Sequence, residues 1–418
     1  MDAISATSAK TAERLLTVDE ALERILSGVP SLATEDLGLL DALGSVLAED
    51  ARAEHDVPPF TNSAMDGYAV RGEDVASAPA RLRVVGDIAA GAFPTRPIGP
   101  GEAMRIMTGA PMPDGADTVV RVEDTDNGAD LVTIQTATQR GTSVRARGED
   151  LRSGEAVIVR GTVLRAAEIG VLATTGRSRV RVVRRPRVAV LSTGDEVVDL
   201  DAPIRPGQIR DANRYSISAA VRAAGCDPWM LGIVRDTPDA LRTALREAVS
   251  ADVIVTSGGV SVGDHDHVKP VVNEMGTMDF WSIAIRPGRP LAFGELREDD
   301  RRVPIFGLPG NPVSSLLTFE LFVRPALLRM AGHSNVARPR AVARLLERID
   351  KPAHLRFFAR GVHDPVGGTV RTTGPQGSGI LRSMSLANCL IDLPAGLDRH
   401  EPGELVELIL TDQPEPRS

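Results

Sequence analysis

Between residues 186 and about 332 the chain alternates short, β-branched apolar runs with stretches whose apolar residues recur at helical spacing, and no other feature restricts the fold as strongly. Residues 188–191 read as a buried strand ending at Ser192-Thr193-Gly194-Asp195-Glu196. Asp211 can cap a helix carrying Ile217, Val221 and Ala224. Residues 229–234 form the next strand, and Thr237 with Pro238 opens a helix bearing Leu241, Leu245 and Val249, with cap and first-turn proline both in place. Val253-Ile254-Val255 is a third strand, and further strands are expected at 280–285, 291–293 and 303–306. Leu308-Pro309-Gly310-Asn311-Pro312 then starts a long helix through Leu328, capped by Asn311. Strands and helices alternating at these intervals predict a mainly parallel sheet covered on both faces, a three-layer α/β/α sandwich.

Ligands of such sheets bind beyond the carboxyl ends of the strands. Thr193-Gly194-Asp195-Glu196, Asp236 and the loop after Val255 each follow a strand, so all three are expected on one rim. That loop reads Thr256-Ser257-Gly258-Gly259-Val260-Ser261-Val262-Gly263, followed by Asp264, His265, Asp266, His267 and Lys269. Glycines let several backbone N–H groups approach one anionic oxygen. The spacing matches neither G-x-x-x-x-G-K-[ST] nor G-x-G-x-x-G, so an anion cradle and an ordinary tight turn both stay open here. Glu196, Asp236 and Asp266 beside a bound phosphate would repel it unless a cation lay between. Mg²⁺ takes one or two carboxylates together with phosphate oxygens, whereas the bland alternative is a solvated acidic surface. Arg286, Arg289 and Lys269 would neutralise the remaining charge. His265 and His267 lie two apart with no evident third ligand.

The other segments look different. Thr17 and Glu20 form a capping box for a helix with Val18, Ala21, Leu22, Ile25 and Leu26 on one face, a weaker helix is expected at 35–43, and a strand at 46–48. From about 53 to 150 the texture is short β-rich runs (82–85, 102–106, 118–122, 131–134) between turns, followed by a scaffold-like return with a helix at 166–173. Residues 338 to 412 are β-rich again, with strands at 356–362 and 405–410, as in a small barrel. The expected domains are therefore 14–51 with 151–185, an inserted β-rich domain at 52–150, the α/β domain at 186–333 and a C-terminal β-barrel at 338–413. A chain of 418 residues exceeds one core, and its 42% apolar and 25% charged residues are those of a globular protein. No run approaches the roughly 20 apolar residues of a membrane span, and the first residues lack the apolar core of a signal peptide. A net charge of −8 disfavours nucleic acid, and two distant cysteines without metal or redox spacing suit a reducing cytoplasm.

Five strings in order carry a family resemblance: Pro58-Pro59-Phe60-Thr61-Asn62-Ser63-Ala64-Met65-Asp66-Gly67-Tyr68-Ala69, Arg105-Ile106-Met107-Thr108-Gly109-Ala110, Ser192-Thr193-Gly194-Asp195-Glu196, Ser257-Gly258-Gly259-Val260-Ser261-Val262-Gly263 and Leu308-Pro309-Gly310-Asn311-Pro312-Val313-Ser314. Together they resemble the molybdopterin molybdenumtransferases, the family of bacterial MoeA and the gephyrin E domain. The resemblance implies the last step of molybdenum cofactor synthesis, in which adenylylated molybdopterin and molybdate give the cofactor and AMP with a divalent cation. It also implies a homodimer whose α/β domain holds the pterin nucleotide while the partner's β insert closes the cleft. Active-site roles then fall to Asp66, Thr108, Asp150, Glu196, Asp236 and Asp266, with Pro309 and Pro312 shaping the loop below the pocket. Thr193, Gly194, Ser257, Gly258, Gly259, Ser261, Gly263 and Lys269 would hold the nucleotide, and Ser282, Arg286 and Arg289 the molybdate. Bacterial members often carry lysines at these last three positions. The adenylyltransferase of the preceding step is the expected partner. Catalysis of that step by this chain, or a non-enzymatic gephyrin-like scaffold, are the alternatives.

Overall fold

In the computed structural model, which describes residues 15–258, 268–299 and 301–411, the alternating segment builds a six-stranded sheet. Its strands are β1 (Arg187–Thr193), β2 (Asp227–Val234), β3 (Val253–Ser257), β4 (Gly276–Ser282), β5 (Pro290–Glu298) and β6 (Arg301–Leu308), in the spatial order β2-β1-β3-β6-β5-β4. The first four of that order are parallel, and β5 and β4 continue as an antiparallel extension. Helices α1 (Ala212–Ala223), α2 (Pro238–Ala248), α3 (Val268–Met275) and α4 (Pro312–Thr318) cover it.

Alternation along the strands decides which helix lies on which face. Val188, Val190, Val253 and Val255 join Ile217 and Val221 of α1 and Leu317 of α4 in one core. Ala189, Leu191 and Ile254 join Leu241 and Leu245 of α2 and Val271 and Val272 of α3 in the other. With both faces covered, β3 is buried at every position, which is why its sequence is an unbroken apolar run. Each such valine or isoleucine contributes roughly 1.5–3 kcal/mol by burial.

Strand register sets the rim. Ser192 pairs with Ser257 and Ser257 with Leu308, while Gly307 pairs with Ala292 and Leu291 with Trp281. The loops after β1, β2, β3 and β6 and the turn from Ser282 to Pro290 therefore leave the sheet along one edge, the first three being those the sequence places there.

After α4 the helix continues to Met330, but through a π-helical turn at Phe319–Val323. Pro325 lacks the N–H that would bond four residues back, and the wider turn absorbs the defect. The strand expected at 280–285 is instead the end of β4 followed by a separate two-residue strand, Ile285–Arg286. The helix expected at 35–43 is a strand, Thr34–Gly38, followed by a turn. Its ladder partner is Arg179–Val183, and this pairing between distant segments overrides local helix propensity.

Arg356–Asp364, Thr369–Thr372, Arg340–Leu345, Leu405–Leu410 and Cys389–Leu393 pair in that sequence and close on Arg356–Asp364 again, forming a five-stranded barrel filled by Ala343, Phe357, Val370, Ile391 and Leu408. Ile285–Arg286 pairs with its rim.

By contact density the chain falls into two units. One runs up to Glu35, takes in Gly44–Ala48 and resumes at Val182; the other comprises Asp36–Leu43 and Glu49–Arg181. The second unit is built on a five-stranded sheet of Thr118–Arg121, Gly67–Val70, Glu102–Ile106, Ala80–Ile88 and Leu131–Ile134, in that order. Every strand expected in this region is present. Its two faces bury Tyr68, Leu82, Val120 and Val132 on one side and Ile88, Met104, Ile106 and Val119 on the other.

Candidate active site

A cleft of about 110 Å³ opens on the predicted rim, lined by Thr193, Glu196, Asn213, Ser257, Gly258 and Pro312 among others. Its walls are cross-linked. Asn213 Nδ2 donates to Ser257 Oγ at 2.8 Å and to the Gly310 carbonyl at 2.7 Å, tying α1 to the end of β3 and to the Pro309–Pro312 turn. The Gly258 N–H donates to the Leu308 carbonyl at 3.1 Å. Gly258 has φ +89°, and a Cβ there would stand 2.7 Å from the Thr193 carbonyl oxygen, so only glycine lets these two strand ends approach.

The start of α1 faces this cleft and brings the positive end of its backbone dipole with it. Asp211 caps that helix, accepting the Arg214 N–H at 3.0 Å and the Ser192 hydroxyl at 3.0 Å. A buried carboxylate here would repel an anion, but Arg214 Nε lies 3.1 Å from its second oxygen and Nη2 reaches Asp199 at 2.9 Å. The Leu200 N–H and Arg214 hold the Asp199 carboxyl below its usual value. Thr193 lines the cleft, and its buried Oγ1 has no hydrogen-bond partner among the described residues. An unpaired buried hydroxyl is costly, and a ligand oxygen would complete it.

Glu196 is exposed on the loop after β1, its carboxylate folded back over Gly194, where a Cβ would meet Oε2 at 2.6 Å. Asp236 is half-buried just beyond β2 and is not among the residues lining the cleft. Gly259, Ser261, Gly263, His265, Asp266 and His267 lie outside the described residues, as does the side chain of Lys269, whose backbone belongs to α3. The donor set on this rim is hard carboxylate oxygen. Among the described residues no group of three or more His, Cys, Asp and Glu side chains could hold a metal ion alone. That set fits a cation such as Mg²⁺, which keeps waters and takes phosphate oxygens to complete its shell.

Ser282 ends β4 on the same rim, and the Ile283 N–H closes the following turn on the Arg289 carbonyl at 2.8 Å, leaving Arg286 and Arg289 exposed. Arg286 also lines a cleft of about 420 Å³ with Lys351, Phe357, Gln376 and Gly377 of the barrel segment. Beneath it lies a residue that the sequence reading missed. Arg360 is fully buried; its Nε donates to Ser383 Oγ at 3.1 Å and Nη2 to the Gly377 carbonyl at 3.2 Å, while Nη1 has no partner among the described residues. Among the described residues no carboxylate bonds it, and burial lowers its pKa to about 10, so it stays cationic. The available signal was strand parity: Phe357 and Ala359 point into the barrel, so Phe358 and Arg360 point out of it.

In the second unit Asp66 and Thr108 meet. Asp66 Oδ1 accepts the Thr108 N–H at 2.6 Å and the Thr108 hydroxyl at 2.7 Å, and the hydroxyl followed by the N–H lowers the Asp66 pKa. Asp150 is exposed on the loop after Val144–Arg145, its N–H bonded to the Val57 carbonyl at 3.0 Å. That loop is pinned through Asp56, which accepts Arg147 Nε at 2.6 Å and the Ser153 N–H at 2.9 Å.

Three family descriptions match almost end to end: MoeA N-terminal region (domain I and II) over residues 16–176, probable molybdopterin binding domain over 189–329, and MoeA C-terminal region (domain IV) over 342–411. The molybdopterin molybdenumtransferase of a Nostoc species is 40% identical over 87% of this chain and 85% of its own. The chain belongs to the molybdopterin molybdenumtransferase family. Another member, molybdopterin molybdenumtransferase 2 of Mycobacterium tuberculosis, is 40% identical over 85% of this chain and 90% of its own. A MoeA structure from Pyrococcus horikoshii superposes with TM-score 0.80 at 33% identity, covering 95% of this chain and 99% of that one. The central sheet of this molybdenumtransferase family member coincides with the segment described as molybdopterin binding, and so does the cleft from Ser192 to Pro312.

Proposed function

We propose that this chain is the transferase that inserts molybdenum from molybdate into adenylylated molybdopterin, releasing AMP and completing the molybdenum cofactor. The observation that carries this is the match to molybdenumtransferases over most of the chain, barrel and β-rich unit included. Pathway and reaction class follow from it.

Gly194, Ser257 and Gly258, with the start of α1, receive the phosphates, and the free hydroxyl of Thr193 completes one phosphate oxygen's contacts. Gly259, Ser261, Gly263 and Lys269 extend that cradle. Glu196, Asp236 and Asp266 would hold a Mg²⁺, which would supply positive charge to offset that of the phosphates. Arg286 and Arg289 grip the molybdate, Ser282 offers a hydroxyl, and Arg360 adds an N–H with no acceptor among the described residues. Pro309 and Pro312 fix the loop beneath.

Asp66, Thr108 and Asp150 act from the β-rich unit of a second copy, giving a cytoplasmic homodimer of four-domain chains, each charged with substrate by the molybdopterin adenylyltransferase. Among the described residues no helix is long and apolar enough to cross a membrane. Purified protein mixed with adenylylated molybdopterin, Mg²⁺ and molybdate should release AMP and active cofactor. AMP transfer from ATP without molybdate would favour the preceding step instead.

A further inference from the structure

Phe93 is 71% exposed in a chain with nine Phe, two Tyr and two Trp. A single exposed aromatic calls for no explanation, but the surroundings of this one do. Strand Ala80–Ile88 ends where the Ile88 carbonyl accepts the Met107 N–H at 3.1 Å, beside the Thr108 turn. The Ala92 N–H then closes a β-turn on the Ala89 carbonyl at 3.0 Å, with Gly91 at φ +82° in its third position, and this turn presents Phe93. From the other side, Thr61 O accepts the Met112 N–H at 3.0 Å and Ser63 O the Gly109 N–H at 2.8 Å, laying Phe60 and Asp66 along the same turn. Phe60 and Phe93 meet edge to face, with centroids 5.6 Å apart and ring planes at 63°. One edge of the unit thus carries a braced aromatic face near an exposed carboxylate.

The carboxylate is also oriented. Both Thr108 bonds go to Asp66 Oδ1, and Oδ2 has no protein donor among the described residues. A ring face beside a negatively charged acceptor suits a flat heterocycle with N–H groups on its edge. The substrate of the reading above holds two heterocycles. The pyrimidinone edge of a pterin offers an amino group and an adjacent ring N–H, both donors. Adenine flanks its amino group with ring nitrogens whose lone pairs would face the carboxylate.

Resting on that reading, we propose that Phe93, braced by Phe60, is the stacking platform for the pterin ring, and that Asp66 Oδ2 accepts from its N–H edge. The test uses the full-length protein and its Phe93→Ala, Phe93→Leu and Phe93→Trp variants, with melting temperatures to verify folding. Dissociation constants are measured for free pterin, by its fluorescence, and for AMP, alongside KM and kcat for adenylylated molybdopterin. Alanine and leucine should each weaken pterin binding about tenfold and raise KM more than they lower kcat, with tryptophan restoring both and AMP binding unmoved. Undetectable pterin binding to the unaltered protein, unchanged binding in the alanine and leucine variants, or an equal loss for AMP would overturn the platform. Those results in a protein that still makes cofactor leave the transferase reading standing; an inactive unaltered protein strikes that reading instead.

Discussion

The Asn213 side chain bridges Ser257 Oγ and, through the same nitrogen, the Gly310 carbonyl, so one amide sets the spacing of three loops around the cleft. Asn213→Ala removes both bonds, from a buried Ser257 hydroxyl and an exposed Gly310 carbonyl. The expected cost is about 1–3 kcal/mol of stability, read by urea denaturation, together with a raised KM for the adenylylated pterin. Asn213→Asp should be worse for KM than alanine, because it places a carboxylate where phosphate is to bind. An alanine variant with unaltered KM would remove the cleft from the nucleotide path.

Among the described residues Glu196 has no basic partner, and its carboxylate hangs over Gly194 at the mouth of the same cleft. If it binds the cation, Glu196→Gln should shift the Mg²⁺ concentration for half-maximal AMP release upward by about tenfold, the loss of one charged ligand interaction. Excess Mg²⁺ should recover much of the rate. A lower rate with the same Mg²⁺ midpoint would move Glu196 from cation to substrate.

The rim was legible in the sequence because two periodicities and a few glycines suffice to locate strand ends. Val253-Ile254-Val255 can only be a strand buried on both sides, and Gly258 marks the close approach that follows it. Arg360 was not legible. Strand parity puts it on the outer face of the barrel, where an arginine is expected to meet solvent; its burial comes from the segment of Gly377 and Ser383, to which it is bonded, and contacts between separate segments decide that. The strand at Thr34–Gly38 failed to show for the same reason. Asp66 and Thr108 belonged to strings that looked like ordinary turns one at a time, and only the register of Gly67 with Ile106 brings them together.

Asp252, just before β3, joins Arg184 through two bonds of 2.8 and 2.7 Å and accepts the Arg187 N–H at 2.8 Å. Burial alone would raise this carboxyl; the guanidinium and the N–H outweigh it and hold it below the ordinary 3.8. The folded group therefore titrates lower than the unfolded one. Its contribution is complete above that ordinary value and is lost as pH falls through the folded one. Asp252→Asn should cost about 2 kcal/mol at neutral pH, and the gap to the unaltered protein should narrow below pH 4. A pH-independent gap would assign the loss to packing.

Arg360 offers a case where stability and binding should part. Replacing a buried cation with an apolar side chain of similar length is often neutral or stabilising, and Ser383 Oγ keeps its 2.6 Å bond to the Ile380 carbonyl without it. Arg360→Met should leave the melting temperature level or higher while raising the molybdate concentration for half-maximal rate tenfold or more, the loss of a charged hydrogen bond being worth roughly 1.5–3 kcal/mol. A collapse in melting temperature with unchanged molybdate dependence would make the residue structural.

Gly258 tests the cradle at its tightest point. A methyl group here would sit 2.7 Å from the Thr193 carbonyl and 3.1 Å from its Oγ1, and the backbone is at φ +89°. Gly258→Ala is therefore strained twice, by conformation and by contact, at an expected 1–3 kcal/mol. The neighbouring strands are buried and paired on both sides, so relief must come from the loop, which would swing away from β1 and widen the gap between Thr193 and Ser257. Binding should then suffer beyond the stability loss: AMP affinity falls at a temperature where the variant is still fully folded, whereas Gly207→Ala, at a positive-φ glycine with nothing within 4 Å, loses stability and keeps its affinity. Equal affinity in the two variants would mean that the close approach of β1 and β3 serves packing rather than the phosphates.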